Sequence, residues 1–313
     1  MSRFRRACCL LLLGALYCAA SPRVQAMDIM MVASSRGELY ERFLDTIRDR
    51  YGTQNDVHLS TIYLDREART LTEIDETTDL LLTVGTRAAS TVAELGLPIP
   101  AINAIIPESS YRTLIGSETG CSKRSAIFID QPLRRQALLA SHIFPNARNY
   151  GVLLGPVSRQ RRVEIDTMEL PADRRLIVRN VTQEENTVAT TRKLLKETDL
   201  LLAVNDPLVL NRENAKLLLY AAYQKQIPII GFSRAYVRAG AAAAVFSEPE
   251  QMAKQAMEMI KHWRSRNSSC LPGPEYTRYF RVAINTGVAR SLGGDDKDED
   301  TLIKMILKQE QRQ

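Results

Sequence analysis

Histidine is scarce in this chain: His58, His142 and His262 are the only three in 313 residues. They lie far apart, and no HxxxH or HExxH spacing sets two of them on one helix face, which removes the common zinc motifs. Each reads as a surface or packing side chain. There is no GxSxG elbow and no GxxxxGK[ST] loop, so the hydrolase nucleophile turn and the phosphate-cradling loop are both missing. Gly151 and Gly155 bracket one strand-like run, which falls short of a dinucleotide fingerprint. The carboxylates are numerous but ride mostly on charged helical faces. An enzyme would need a nucleophile, a base and an orienting group in one place. The expectation is therefore no enzyme, no metal and no cofactor.

Long apolar runs are equally scarce. The one that occurs, Ala7–Ala20, follows Arg3, Arg5 and Arg6 and precedes Val24-Gln25-Ala26. This three-part pattern predicts a signal peptide over 1–26, cleaved after Ala26. The run is short for a stable bilayer span. Cys18 is not read as a lipid attachment site, because bulky Tyr17 precedes it. The leader carries four arginines and no acid, so its loss lowers the formal charge from +6 to +2. The basic balance is thus partly a property of the leader, and no nucleic-acid partner is expected. Three of the five cysteines also leave with it. Cys121 and Cys270 remain, an even pair for an oxidising compartment, either as a disulfide or as two separate thiols.

What is present is a repeating unit. Apolar runs of strand length end in small or polar residues, and helical patterns follow: MDIMMVAS, VHLSTIYLD, DLLLTVGT and IPAINAII, then SAIFIDQP, YGVLLGP, RLIVRNV, DLLLAVND, IPIIGFS and AAAAVFS. Strands alternating with helices imply parallel sheets covered on both faces. Two such series predict an α/β protein of two Rossmann-like lobes, joined near the polar, turn-rich Gly116–Ser125 segment. The expected organisation is a first lobe over 27–122 plus 279–313, a second over 123–247, and a crossover helix and hinge return over 248–278. A Ser-x-x-Glu start at Ser247 and Glu250 marks that helix.

In parallel α/β sheets a ligand sits beyond the carboxyl ends of the strands. Those positions hold Ser34, Ser35 and Arg36; Gly85 and Thr86; Asp130 and Gln131; Ser158; Asn205 and Asp206; Phe232, Ser233 and, one turn on, Tyr236. Asp206, after an apolar strand and before Pro207, can pair with a ligand ammonium in a dry cleft. Ser34 and Thr86 offer hydroxyls to a carboxylate. Phe232 and Tyr236 can wall an apolar group or belong to the core. Each polar residue at a strand end can equally serve as a helix cap.

Several segments carry a resemblance: VGTRAA at 84–89, SAIFIDQPLRRQ at 125–136, YGVLLGP at 150–156, LLLAVNDPLVLNREN at 200–214, IPIIGFSRAYVRAGA at 227–241 and VAINTGVARSLG at 282–293. In order and spacing they resemble the bacterial ABC-transporter substrate-binding proteins related to tryptophan/tyrosine-binding lipoproteins. That resemblance implies a type I periplasmic-binding-protein fold with two lobes, a three-segment hinge and a cleft for a small organic, amino-acid-like ligand. It implies a periplasmic, monomeric protein of a Gram-negative cell, serving an ABC permease. It also sets Cys121 and Cys270 beside crossovers, which favours a hinge-region disulfide. The alternative on the same fold is a ligand-sensing or protein-interaction module that answers to a membrane signalling protein, with its cleft filled by side chains such as Arg36 or Tyr236.

Overall fold

The computed structural model describes residues 26–53, 56–65, 74, 77–116, 121–171, 173–182, 187–266 and 268–311. Residues 1–25 of the expected signal peptide over 1–26 lie outside the described residues. Two six-stranded sheets form, one per lobe. The first lobe begins β1 (Met27–Ala33), α1 (Glu38–Tyr51), β2 (Val57–Tyr63), β3 (Leu80–Val84), α2 (Thr86–Glu94), β4 (Ala101–Ile106), α3 (Glu108–Ile115) and β5 (Arg124–Phe128). The chain then crosses to the second lobe for α4 (Leu133–Ile143), β6 (Asn149–Leu154), a 3-10 turn (Ser158–Arg161), α5 (Arg162–Thr167), β7 (Arg175–Asn180) and α6 (Thr187–Leu194). There follow β8 (Leu200–Leu202), α7 (Arg212–Gln224), β9 (Ile229–Gly231), α8 (Arg234–Arg238) and β10 (Ala243–Phe246). It returns to the first lobe for α9 (Pro249–Ser265) and β11 (Glu275–Tyr276), and crosses a third time to β12 (Arg281–Ile284), α10 (Thr286–Ser291) and α11 (Glu299–Glu310).

The sheet orders are β11-β5-β4-β3-β1-β2 and β12-β10-β9-β8-β6-β7. Every recorded pairing is parallel except β10 with β12. The central strands are mostly apolar because both faces are covered, and their polar exceptions Thr83 and Asn103 pair with each other, Thr83 Oγ1 donating to Asn103 Oδ1 at 2.7 Å. All of Leu80–Val84 and Ala101–Ile106 is buried, for example. On one face of the first sheet, α1 contributes Phe43, Leu44 and Ile47, and α9 contributes Met252, Ala256 and Ile260 to a shared core. Each fully buried side chain of this size contributes roughly 1.5–3 kcal/mol. In the second lobe, Leu139 and Ile143 of α4 meet Tyr150, Val152, Leu200 and Val245.

The lobe boundaries differ from the expectation at three places. The second lobe does not begin at 123: β5 pairs with β4, with Ala101 opposite Arg124 and Ala104 opposite Ile127, so 124–128 belongs to the first sheet. Residues 248–278 are not a separate hinge piece. Helix α9 packs on the first-lobe core, and β11 pairs with β5. Residues 281–310 do not return to the first lobe. Strand β12 runs antiparallel along the free edge of β10, Ala243 opposite Ile284, and Leu302 and Ile306 of α11 enter the second-lobe core. The apolar faces of β12 and α11 fit that exposed edge. The start of α9 also shifts by one residue. Glu248 is the N-cap, and its backbone N–H donates to Gln251 Oε1 at 2.9 Å.

The two cysteines form a disulfide, Cys121–Cys270, with their Cα atoms 4.9 Å apart. Both roots lie in the first lobe, just before β5 and between α9 and β11. The bond therefore encloses the excursion of the chain through β6–β10.

Candidate functional site

In a parallel α/β protein a ligand sits in the crevice beyond the carboxyl ends of the strands, so the residues at those ends and at the crossings make up the candidate site. Following β1, Ser34 turns inward, 6% exposed, and its Oγ accepts from Ala88 N–H at 3.0 Å in the first turn of α2. Its neighbours differ. Ser35 is half-buried and Arg36 exposed, the Arg36 guanidinium lying 3.9 Å from the Tyr63 ring centre. Gly85 closes β3 at φ +90°, in the left-handed region that favours glycine, and a Cβ there would stand 2.6 Å from Ser34 Oγ and 2.8 Å from Tyr40. This tight turn leaves Thr86 exposed at the mouth. On the first-lobe wall, then, Ser35, Arg36 and Thr86 are accessible, while Ser34 and Gly85 build the turn.

Asp206 has no exposed surface. Its Oδ2 accepts from Val157 N–H at 3.1 Å, Ser158 N–H at 2.8 Å and Ser158 Oγ at 2.9 Å. Its Oδ1 accepts from Leu208 N–H at 2.9 Å and Val209 N–H at 3.4 Å. A Cβ at Gly155 would collide with this carboxylate. Ser158 in turn accepts from Gly155 N–H at 2.9 Å. Asp206 and Ser158 thus lock the β6 turn to the β8 turn. The expected ammonium partner is a scaffold residue, because its lone pairs are already filled by backbone N–H groups and a hydroxyl. Asn205, one residue earlier, is exposed at the mouth.

After β9, Ser233 caps α8, its Oγ accepting from Tyr236 N–H at 3.2 Å. Tyr236 lies under Gly231 in the second-lobe core, 7% exposed, stacked on half-buried Phe232 with ring centres 5.3 Å apart. Burial pushes the Tyr236 phenol above its usual pKa, and its Oη finds no hydrogen-bond partner among the described residues. Tyr236 therefore does not fill the crevice, and Phe232 is the aromatic left at its edge.

Buried polar and charged groups gather where the chain crosses between the lobes. Gln131 is 2% exposed and ties the crossings together. Its Nε2 donates to Ser247 Oγ at 2.8 Å, and its Oε1 accepts from Arg135 Nη1 at 2.7 Å. Ser247 donates to Tyr279 O at 2.6 Å, and Arg135 Nη1 donates to Thr277 O at 3.0 Å. All three crossings thus meet at one polar knot, so Gln131 is a hinge residue instead of a ligand contact. Its neighbour Asp130 accepts from Glu108 N–H at 2.7 Å at the start of α3. Burial raises the Asp130 pKa against the pull of Arg161. Arg161, from the second lobe, donates to Gln131 O at 2.8 Å and to Glu164 at 2.8 Å. Burial works against its charge, yet Glu164, Tyr276 and Asp130 hold its pKa above the usual value. From the first lobe Tyr276 donates to Glu108. On the opposite flank Arg42 and Arg234 both meet Glu248, at 3.1 and 3.6 Å.

Arg161, Glu164, Glu108, Tyr276, Arg42 and Glu248 were not among the sequence candidates. Arg161 stands in SRQRR and Glu248 in SEPE, and such charge runs read as solvated helix faces. Only the crossings bring them together. Among the described residues no group of three or more metal-ligating side chains forms, and no helix is long and apolar enough to cross a membrane. The strand ends and the crossings carry a guanidinium, hydroxyls, amides, a carboxylate and an aromatic ring, groups suited to recognition by hydrogen bonds and charge.

Residues 61–265 match the family model of ABC transporter substrate binding proteins. No curated protein matches the chain. Similar solved structures include an ABC domain in complex with L-Trp from Streptococcus pneumoniae, 16% identical, covering 90% of this chain and 98% of that one at a TM-score of 0.60. A ligand-free, open substrate-binding protein with adhesive properties from Clostridium difficile is 14% identical, with 87% and 97% covered and a TM-score of 0.67. A conserved domain protein from Vibrio cholerae is 14% identical, with 90% and 98% covered and a TM-score of 0.58. At these identities the likeness shows the fold, two hinged lobes of the type I periplasmic-binding class. With the family match, it establishes that the chain belongs to the ABC transporter substrate-binding protein family.

Proposed function

We propose that this protein is exported by its leader, cleaved after Ala26, and captures a small polar organic molecule, amino-acid-like in its charges, between its two lobes. The observation that carries this reading is the hinge: three crossings held at one buried knot through Gln131. Such a joint lets two rigid lobes close when a ligand contacts both. Arg36 is the carboxylate partner and Asp130 the ammonium partner, with Ser35, Thr86, Asn205 and Ser233 as hydrogen-bonding groups and Phe232 as the apolar edge. The complex is delivered to an ABC permease, and the protein works as a periplasmic monomer without catalysis. The L-Trp in the Streptococcus pneumoniae structure makes amino acids the first class to test.

A thermal-shift screen of ligand-stripped protein against amino acids, small carboxylates, nucleosides and sugars tests this, since a ligand that binds only the folded state raises its melting temperature. The expected result is a zwitterionic hit that Arg36→Ala and Asp130→Asn each weaken. A hit indifferent to both variants refutes the assigned contacts. A flat screen on well-folded protein refutes the solute reading and favours a protein-interaction module.

A further inference from the structure

A cavity lies at the amino ends of the first-lobe strands β1 and β2, away from the carboxyl ends that carry the reading above. It has a volume of about 560 Å³ and opens between the end of α1, the first residues of β1 and β2, and one flank of α9. That size falls in the range of small-molecule sites. The hinge and strand-end residues of the crevice do not line it, so it stands apart from the reading above.

Its lining divides by chemistry. Met27, Tyr51, Met257 and Ile260 supply an apolar floor, each at most 9% exposed. The Tyr51 hydroxyl donates to Met257 O at 2.9 Å, so the polar end of that ring is already satisfied. Two methionines give such a floor shape adaptability. The rim is cationic. Lys254 and Lys261, seven residues apart on α9, share one helix face with Met257 and Glu258. The two acids on the rim already have cations. Asp56 pairs with Arg264 at 2.7 Å, and Glu258 pairs with Arg278 at 3.2 Å and accepts from Tyr279 Oη at 2.7 Å. Among the described residues, Lys254 has only the face of the Tyr279 ring, 3.9 Å from its centre, and Lys261 has no acid partner. The cavity thus combines an apolar interior with two ammonium groups lacking counter-charges.

We infer that this cavity is a second binding site, for a small amphipathic anion: a carboxylate-bearing molecule whose apolar body lies on Met257, Ile260 and Tyr51 and whose charge is met by Lys254 and Lys261. Burial of the apolar body supplies most of the affinity, and the lysines select the anion and its orientation.

Isothermal titration of the purified protein with decanoate tests this, with acetate and decanol as probes lacking the tail and the charge. Decanoate saturates one site, acetate gives no saturable heat, and decanol binds more weakly than decanoate. The double variant Lys254→Glu/Lys261→Glu weakens decanoate binding by about tenfold or more, with an unchanged melting temperature. Arg36→Ala, in the crevice, leaves decanoate binding intact. Three results overturn the inference: no saturable decanoate binding, equal binding by the double variant, or binding only to phosphatidylglycerol vesicles, which would make the face a membrane contact. The Arg36→Ala control keeps failure of this site distinct from failure of the crevice reading.

Discussion

Asp206 is held by Val157, Ser158, Leu208 and Val209 within its own lobe. Truncating it leaves buried N–H groups without acceptors, each costing about 1–3 kcal/mol. Asp206→Ala should therefore lower the unfolding free energy by on the order of 3 kcal/mol in urea titrations; a loss under about 1 kcal/mol would contradict its scaffold role. The sequence could not separate this role from ligand binding. An Asp at the end of an apolar strand fits both, and its main donors lie 48 and 49 positions away. Arg36, by contrast, was legible as an accessible strand-end residue, because the Ser-Ser-Arg-Gly run follows β1 directly. His142 gives a pH signature. Burial holds its pKa below the ordinary 6.5, and Lys297 and Arg174 push the same way. The nearby Gln309 side chain pulls the other way, although neither His142 Nε2 nor Gln309 Oε1 has a well-formed hydrogen bond. As pH falls below 6.5, the unfolded chain takes up this proton before the folded chain does, so stability drops. Stability measured from pH 7 down to about 5 should show that slope, and His142→Gln should flatten it; an equal slope in both proteins would rule His142 out as its source.

Among the elements, strands were easy to read and their partners were not. The runs DLLLTV, IPAINAII and AAAAVF are largely apolar, of strand length and followed by turn or helix signals, which together read as buried strands. The membership of β5, β11 and β12 is decided by free sheet edges instead: β5 has β4 open beside it, and β12 has β10. Edge pairing joins residues far apart in sequence, and no local pattern records it. The disulfide belongs to this scale too. It joins residues separated by 149 positions and pins both roots of the second-lobe excursion. In the chain-entropy account a loop of that size contributes on the order of 5 kcal/mol. Cys121→Ser/Cys270→Ser should lower the unfolding free energy by several kcal/mol, and reductant should do the same to the wild type. Insensitivity of the wild type to reductant under denaturing conditions would contradict this. The Gln131 knot makes a further prediction. Gln131→Leu deprives Ser247 and Arg135 of a buried partner, so the ligand-free protein should sample a wider range of lobe angles, seen as a larger radius of gyration. An unchanged radius would place the hinge restraint elsewhere.

For the molecule as a whole, the repeat of apolar runs and helical patterns was enough to read two parallel-sheet lobes, and the family motifs were legible in order. Of the proposed contacts, Ser35, Arg36, Thr86, Asn205, Ser233 and Phe232 could be placed from the sequence as strand-end residues, and all six keep exposed surface. The cluster around Asp130 was not legible, since Arg161 joins it from the second lobe after the first crossing, and Tyr276, which meets Arg161 and Glu108, only after the second. On the proposed function, these lobes are a hinged clamp for a small solute. Small-angle X-ray scattering of the ligand-stripped protein, alone and saturated with the best hit of the thermal-shift screen, addresses that claim most directly. The clamp predicts a smaller radius of gyration on binding, and loss of that change in Arg36→Ala at the same ligand concentration. A ligand that binds at full occupancy and leaves the radius unchanged would contradict it.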